Sequence, residues 1–552
     1  MKNIPARIII QKFKPLDTPK TAIIATIGGA DVYSKRYILS LVNEGMTVAR
    51  INLAQINNYN DRESEDYKHV LRIIKDIEDI SKKEKRPIGI MLDVGGPKIR
   101  VGGLKQPIKI HPGDRITFTT KPGYDTLDKC SVTYSGFIED IKIGHRIFLD
   151  DGKIELKMLE KDTAKSEMLC EIVSTSEKFI SKNKGFNLPD TRIREASLTK
   201  KDIQILKTIA YYGLAKYIDF MALSFIRTAT DLDALKKIMA DYYIDWKNDI
   251  GDQKGPIVIS KIETSQAVQP DAGGDYTELD KIVAGSDAIM VARGDLAVET
   301  APEDVPLIQQ YLTQKGIEQG KPVIVATQML LSMTERENKR PTRPEANDVA
   351  TAVFEYVDAI MLSEETATGK NPALCVNTMS NIALKAEKSQ KNDREFLKYT
   401  RLLNVEKQNP GVEDYVNRQL AVAESAIILA NDLKSPAIVV STATGSTAMK
   451  ISRYRPAQPI IAITNNEKSA RKMLLYRGIY PFLVKNNPET FEKIVRAARV
   501  ILQTITINGK KLIEPAKNQK VCVPLTLGIE PEKELSSAKA GKTNAIYILE
   551  FE

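Results

Sequence analysis

A chain of 552 residues is too long for one compact domain and predicts roughly two to four of them. Its composition, 42% apolar and 27% charged, is that of an ordinary globular protein. The net charge of +9 is modest and its lysines and acids are interspersed, which argues for anionic small substrates and against nucleic acid, and no apolar run approaches the ~20 residues of a membrane span.

Residues 1–19 are basic with one Ile run, Ile8-Ile9-Ile10, too short for a signal-peptide core; they read as a non-targeting extension, with a short transit peptide as the other reading. Apolar, β-rich runs then follow at Ala22–Ile27, Thr47–Ile51, Ile88–Leu92, Tyr217–Leu223, Ile257–Ile259, Ala288–Val291, Val323–Val325 and Ala359–Leu362. Most precede an amphipathic segment, and the last four are spaced by about one βα unit. Eight such units predict an α/β fold of the (β/α)8 TIM-barrel type, with the barrel in two parts at 20–96 and 196–387. The gap between the third and fourth runs is too long for a loop. Its short alternating runs, Arg115–Thr120 and Arg146–Leu149, and its turns at Pro112-Gly113-Asp114 and Asp150-Asp151-Gly152 predict a small inserted β domain at 97–195. Residues 388–414 are polar and lysine-rich and read as a linker with an insertion, part of it helical. A new α/β pattern begins at Tyr415, with a helix at Val416–Asp432 and strands at Ala437–Ser441 and Pro459–Thr464, so 415–552 is predicted to be a separate C-terminal α/β domain.

The cysteines Cys130, Cys170, Cys375 and Cys522 form no C-x-x-C pair, which suits a reducing compartment and a cytoplasmic protein. His69, His111 and His145 sit in no chemical motif. Acid–base and metal chemistry therefore falls to carboxylates, lysines and hydroxyls. The fifth run continues as Ser260-Lys261-Ile262-Glu263, and period-two alternation turns Lys261 and Glu263 the same way. The sixth ends in Arg293-Gly294-Asp295. Two carboxylates beside a lysine at barrel strand ends suit a divalent cation and a phosphoryl group. A surface ion pair at the mouth of an α/β fold is the competing reading.

The strings SKIE, SDAIMVARGDLAVE, ATQML (326–330) and RPTRPEANDVATAV (340–353) resemble the pyruvate kinase family, and the resemblance runs from about residue 20 to the C-terminus. It implies phosphoryl transfer from phosphoenolpyruvate to ADP, giving ATP and pyruvate in glycolysis. It also implies that the inserted β domain is a small β-barrel acting as a mobile lid. By the same resemblance Glu263 and Asp295 hold Mg²⁺ (or Mn²⁺), Lys261 stabilises the transferring phosphoryl group, and Thr327 serves enolate protonation. The backbone at Ala292, Arg293 and Gly294 would seat the substrate carboxylate. Arg293 has a purely structural alternative, and Thr327 could simply cap the next helix. Arg50 and Asn52, in VARINLAQ, match phosphoryl and nucleotide contacts; Arg100, in LDVGGPKIR, and Lys184, in SKNKGFNLPD, match nucleotide contacts; Ser224, Phe225 and Ser363 match substrate-side positions. Asp93 matches an ion-site ligand.

Departures from the family pattern cluster at the monovalent-ion site. Ala54 and Val94 replace hydroxyl residues, and Lys98 replaces a glutamate. The resemblance places this chain with the lysine-bearing members that need no K⁺. Gln55, Gly95 and Glu364 also depart, from histidine, lysine and glycine, and support a competing reading, a catalytically weak paralogue that binds effectors and oligomerises; another reading, a metal-dependent barrel acting on phosphoenolpyruvate or pyruvate by carbon–carbon chemistry, has the matches at Arg100 and Lys184 against it. In STATGST the residues Thr442, Thr444, Gly445, Ser446 and Thr447 match a loop binding the phosphate of an allosteric effector; an ordinary strand-to-helix turn is the alternative. The resemblance further implies a homotetramer.

Overall fold

The fold is that of a computed structural model, which describes residues 18–29, 33–123, 126, 128–243, 255–335, 337, 339–389, 414–485, 491–507, 510–511, 519–525 and 545–551. Strands β1 (Ala22–Thr26), β2 (Val48–Asn52) and β3 (Gly89–Val94) open a parallel sheet. After the inserted segment it continues with β12 (Phe220–Leu223), β13 (Ile257–Ile262), β14 (Ala288–Ala292), β15 (Val323–Ala326) and β16 (Ala359–Leu362). β16 pairs back onto β1 in the order β1-β16-β15-β14-β13-β12-β3-β2, so the predicted barrel closes with all eight strands. Every residue of these strands is buried apart from Asn52 at the tip of β2, which is why they read as unbroken apolar runs instead of alternating ones. The fourth strand is shorter than the sequence suggests. Ala215–Tyr217 forms a 3-10 turn, and Asp219 turns its carboxylate onto the Ile90 N–H of β3.

Between β3 and β12 lie β4 (Ile108–Lys109), β5 (Arg115–Thr119), β6 (Lys129–Ser131), β7 (Arg146–Leu149), β8 (Ile154–Asp162), β9 (Glu167–Thr175), β10 (Phe179–Ile180) and β11 (Phe186–Asn187). Six of them form a sheet in the order β11-β7-β8-β9-β5-β6. Isolated bridges Arg100↔Gly185 and Val101↔Val132 join its two edges, so residues 100–101 close it on itself. Phe118, Phe137 and Phe186 meet edge-to-face in its core. The turn between β7 and β8 takes left-handed φ at Asp150, Asp151 and Gly152, the short polar and glycine residues that tolerate it.

The C-terminal helix Asp414–Asp432 leads to a sheet of β17 (Ile438–Ser441), β18 (Ile460–Thr464), β19 (Ile479–Leu483), β22 (Gln519–Leu525) and β23 (Ala545–Phe551), with a small hairpin of β20 (Thr506–Ile507) and β21 (Lys510–Lys511) aside. β23 is antiparallel to β22 and the rest are parallel. This domain seats against the N-terminal end of the barrel through three arginines. Arg455 pairs with Asp358 at 2.6 Å, and Arg471 pairs with Asp219 at 2.9 Å and Glu78 at 3.1 Å. Arg477 donates its backbone N–H to Asp358 and its guanidinium to Thr21. Most of the N-terminal extension and of the 388–414 insertion lies outside the described residues.

Candidate active site

Lys261 is the hub of a charged cluster at the C-terminal end of the barrel. Its ammonium lies 2.9 Å from Glu263 Oε1, 3.2 Å from Asp93 Oδ1 and 2.8 Å from Ser224 Oγ. All three donors of the lysine are thereby used. Burial alone would lower the Lys261 ammonium, but the facing Asp93 and Glu263 carboxylates outweigh it and hold it above the ordinary lysine range. Asp93 is likewise penalised by burial, yet Lys261 and Arg50 hold it below the usual carboxylate range. Arg50 bonds Asp93 Oδ2 through Nε at 2.7 Å and Thr26 Oγ1 through Nη1 at 2.7 Å. Strands β1, β2, β3 and β13 therefore each place one polar side chain in this cluster, and Ser224 joins it from the residue after β12.

Glu263 follows β13 directly and accepts the Phe225 N–H at 2.8 Å. Phe225 has φ 55°, a left-handed conformation unusual for a bulky residue, and that bend turns its N–H to the carboxylate. Burial pushes the Glu263 carboxyl up; Lys261 offsets part of this and the Asp295 charge adds to it. Two mutually repelling carboxylates in a buried site are what a divalent cation would relieve. Among the described residues no group of three or more His, Cys, Asp or Glu side chains converges. The Glu263 and Asp295 carboxylates are a pair of the kind that would suit Mg²⁺, an ion that takes one or two carboxylates and completes its shell with water and substrate oxygens.

Asp295 and Gly294 sit in the first turn of the helix Arg293–Glu299, which starts where β14 ends at Ala292. The Gly294 N–H donates to Thr327 Oγ1 at 2.7 Å, so this hydroxyl caps the preceding short helix, whereas the sequence alternative had it capping the next one. A Cβ at Gly294 would stand 3.3 Å from that oxygen, which makes the bare backbone fit. Thr327 and Gln328 both have left-handed φ, 69° and 54°, strain of the kind stored at functional sites. Arg293 turns away from the cluster. It grips Asp348 with two bonds of 2.6 Å and reaches the Thr327 carbonyl at 3.0 Å.

Arg100 and Lys184 of the inserted β domain are spent on local bonds, to the Asn183 carbonyl at 2.7 Å and to Asp150 at 2.8 Å. Lys98 lies 3.2 Å from Asp295 Oδ1 and 3.6 Å from Asp151, so it bridges barrel and lid and stands on the Asp295 carboxylate instead of on Asp93. Those two acids outweigh burial and hold its ammonium above the ordinary range. Asn52 caps the Leu53–Gln55 turn by accepting the Ala54 N–H. Ser363 Oγ is buried and makes no hydrogen bond. Gln55 and Glu364 are exposed, and a side chain at Gly95 would meet Ala54 at 3.1 Å. Far from this cluster, Gly445 caps the helix Ser446–Arg453 with φ 88° and donates to Thr442 Oγ1, while Lys450 donates to Ser446 Oγ. Thr26, Asp348 and Glu299 escaped the sequence reading. For Thr26 its place at the last position of a barrel strand was the available signal.

Comparison with known proteins gives the same direction throughout. The family description "Pyruvate kinase, barrel domain" matches residues 18–376, and "Pyruvate kinase, alpha/beta domain" matches 420–524. A pyruvate kinase of Staphylococcus epidermidis is 36% identical over 451 residues, covering 81% of this chain and 69% of that protein, and one from Staphylococcus aureus matches to the same extent. A crystallised pyruvate kinase from Cryptosporidium parvum superposes with a TM-score of 0.80 over the whole of both chains at 28% identity. The chain belongs to the pyruvate kinase family, and it is a phosphotransferase.

Proposed function

We propose that this family member transfers the phosphoryl group of phosphoenolpyruvate to ADP, with a divalent cation and without K⁺, and then protonates the enolate to pyruvate. The single observation that supports it most is Lys261, a buried cation held at 2.9 Å from Glu263 and 3.2 Å from Asp93. An incoming phosphoryl oxygen can take the place of one of its present partners, and the lysine then neutralises charge that spreads over the moving group. Arg50 stands on the same carboxylate and reaches toward the same oxygens. Glu263 and Asp295 would hold Mg²⁺ or Mn²⁺, which would supply Lewis-acid stabilisation of the charge that develops on the substrate. Ala292, Arg293 and Gly294 seat the substrate carboxylate, with Arg293 acting through Asp348 and the Thr327 carbonyl. Ser224, Phe225 and Ser363 complete the wall, and Thr327 serves the proton transfer to carbon.

On the nucleotide side we assign Asn52, Arg100 and Lys184, the last two on a lid spanning 97–195 that closes over the barrel mouth. Arg100 and Lys184 exchange their present bonds for phosphates on closure. Lys98 stands in for K⁺: Ala54 and Val94 offer no hydroxyl oxygen, and the lysine supplies a positive charge of its own. The C-terminal domain is regulatory in this reading, with Thr442, Thr444, Gly445, Ser446 and Thr447 taking the phosphate of an effector, and the enzyme is a cytoplasmic homotetramer. Among the described residues no helix is long and apolar enough to cross a membrane.

A coupled assay with phosphoenolpyruvate, ADP and Mg²⁺ in K⁺-free Tris buffer tests both halves. Full turnover is expected. Strong stimulation by K⁺ at constant ionic strength overturns the reading of Lys98 alone, and no turnover with or without K⁺ overturns the kinase and favours the weak paralogue.

A further inference from the structure

Glu299 ends the helix Arg293–Glu299, the helix whose first turn carries Gly294 and Asp295. Its carboxylate reaches in two directions. Oε1 accepts Asn187 Nδ2–H at 3.1 Å and the Leu188 N–H at 3.1 Å. Ser265 has one hydroxyl proton, which Glu299 Oε2 at 3.3 Å shares with the nearer Pro189 carbonyl at 2.8 Å. Asn187 belongs to β11, which pairs with β7 in the lid sheet; Ser265 lies two residues beyond Glu263. One carboxylate thus joins the helix bearing Asp295, the turn after Glu263 and the stretch by which the lid returns to the barrel.

That return stretch has a second anchor. Arg227 donates to the Ile193 carbonyl at 2.9 Å and to Ser197 Oγ at 3.0 Å. Residues 189–192 run between the two grips, one made by a carboxylate that accepts and the other by a guanidinium that donates. Beside them lies a cavity of about 30 Å³, lined in part by Pro97, Lys98, Phe225, Arg227 and Glu299. The outgoing lid stretch at Pro97 and the return stretch therefore flank one small void.

We propose that Glu299 is a positioning residue that sets the lid's closing angle against the Glu263–Asp295 pair, through Asn187 and Leu188 on one side and Ser265 on the other. The proposal rests on the reading of Arg100 and Lys184 as nucleotide contacts carried by the lid. It touches neither substrate nor metal. Its work is to make the lid's nucleotide residues arrive where the barrel's phosphoryl site is.

The test is Glu299→Gln in the full-length enzyme, which keeps shape and one acceptor oxygen but loses the charge. Three quantities are read: hydrogen exchange across residues 186–192 without ligands, compaction by small-angle scattering on adding Mg²⁺, ADP and phosphoenolpyruvate, and the two Michaelis constants. Exchange should quicken and the KM for ADP should rise roughly tenfold, the scale of one charge-assisted hydrogen bond. The KM for phosphoenolpyruvate should stay within about twofold, because its site lies on the barrel; a general loss of structure would move both. Unchanged exchange overturns the proposal. Faster exchange with both constants unchanged, while Arg100→Ala raises the KM for ADP, overturns it too. If Arg100→Ala and Lys184→Ala also leave that constant unmoved, the nucleotide reading has failed. Scattering then decides: ligand-induced compaction lost in Glu299→Gln supports the positioning role, and compaction kept refutes it. Should Glu299→Gln not fold, Ser265→Ala and Asn187→Ser remove the same bonds one at a time and are read in the same three ways.

Discussion

Replacing Lys261 by methionine removes one charge from a closed set of buried groups. Lys261, Asp93 and Glu263 are 8%, 1% and 2% exposed, so no water is at hand to take the lysine's place. Breaking a buried ion pair by deleting one partner costs about 3–5 kcal/mol. Arg50 remains on Asp93 at 2.7 Å, which puts the loss at the lower end, about 3 kcal/mol. For a domain of this size each kcal/mol moves the melting temperature by about 2–4 °C, so a fall of about 6–12 °C is expected. Turnover should fall by at least ~10²-fold, the effect of removing one preorganised charge from a transition state. The pH dependence separates electrostatics from packing. Burial already pushes the Glu263 carboxyl up, and without Lys261 it rises further. An acid whose folded pKa exceeds its unfolded value is destabilising above that folded value and relieved as pH falls through it. The gap in melting temperature between variant and parent should therefore narrow from pH 8 to pH 5. Near-normal turnover, or a gap that widens in acid, would refute the reasoning.

Glu263→Gln and Asp295→Asn should each raise the Mg²⁺ concentration for half activity by at least about tenfold, since losing even an outer-shell partner of a metal site often costs that much; titration of activity against Mg²⁺ reads it. Lys98→Glu should lower K⁺-free activity, and added K⁺ should restore part of it; a variant indifferent to K⁺ would remove Lys98 from the ion's role. Arg455→Met leaves Asp358, 1% exposed, without its bidentate partner, and urea unfolding should show a loss of about 3–5 kcal/mol. Gly445→Ala forces a side chain onto φ 88° with Met473 only 2.8 Å from its Cβ, and should cost about 1–2 kcal/mol by thermal melting.

Strand chemistry was readable in the sequence because it is local. Period-two alternation puts Lys261 and Glu263 on one side of β13 whatever the rest of the chain does. Their partner Asp93 stands 168 positions away in sequence, and no local pattern announces that the two meet at 3.2 Å. The same distance hid Lys98 on Asp295, 197 positions apart. Thr327 shows the limit more finely. A hydroxyl after a strand is a plausible cap in either direction along the chain, and only the left-handed turn at Thr327 and Gln328 aims it back at Gly294. The fourth strand was overextended for a related reason. Ile218 is as apolar as the strand residues, but Asp219 must face β3 to satisfy Ile90, so strand pairing starts at Phe220, three residues after the expected Tyr217.

The two ends of the barrel divide the work of the same strands. Asp219, Asp287 and Asp358 stand immediately before β12, β14 and β16, and each accepts an N–H of the neighbouring strand, from Ile90, Val258 and Val323. Carboxylates at that end tie off backbone donors where the ladder begins. Arg471 and Arg455 of the C-terminal domain then neutralise two of the three. Desolvation still pushes the Asp219 carboxyl up despite Arg471, so the pair is held by geometry at a cost in solvation. At the opposite end Asp93, Ser224 and Glu263 instead hold the Lys261 ammonium, a cation for which an anionic substrate oxygen can compete. Only the four residues of β12 separate Asp219 from Ser224, so Arg471 of the C-terminal domain and Lys261 of the charged cluster each bind a side chain at one end of the same buried strand.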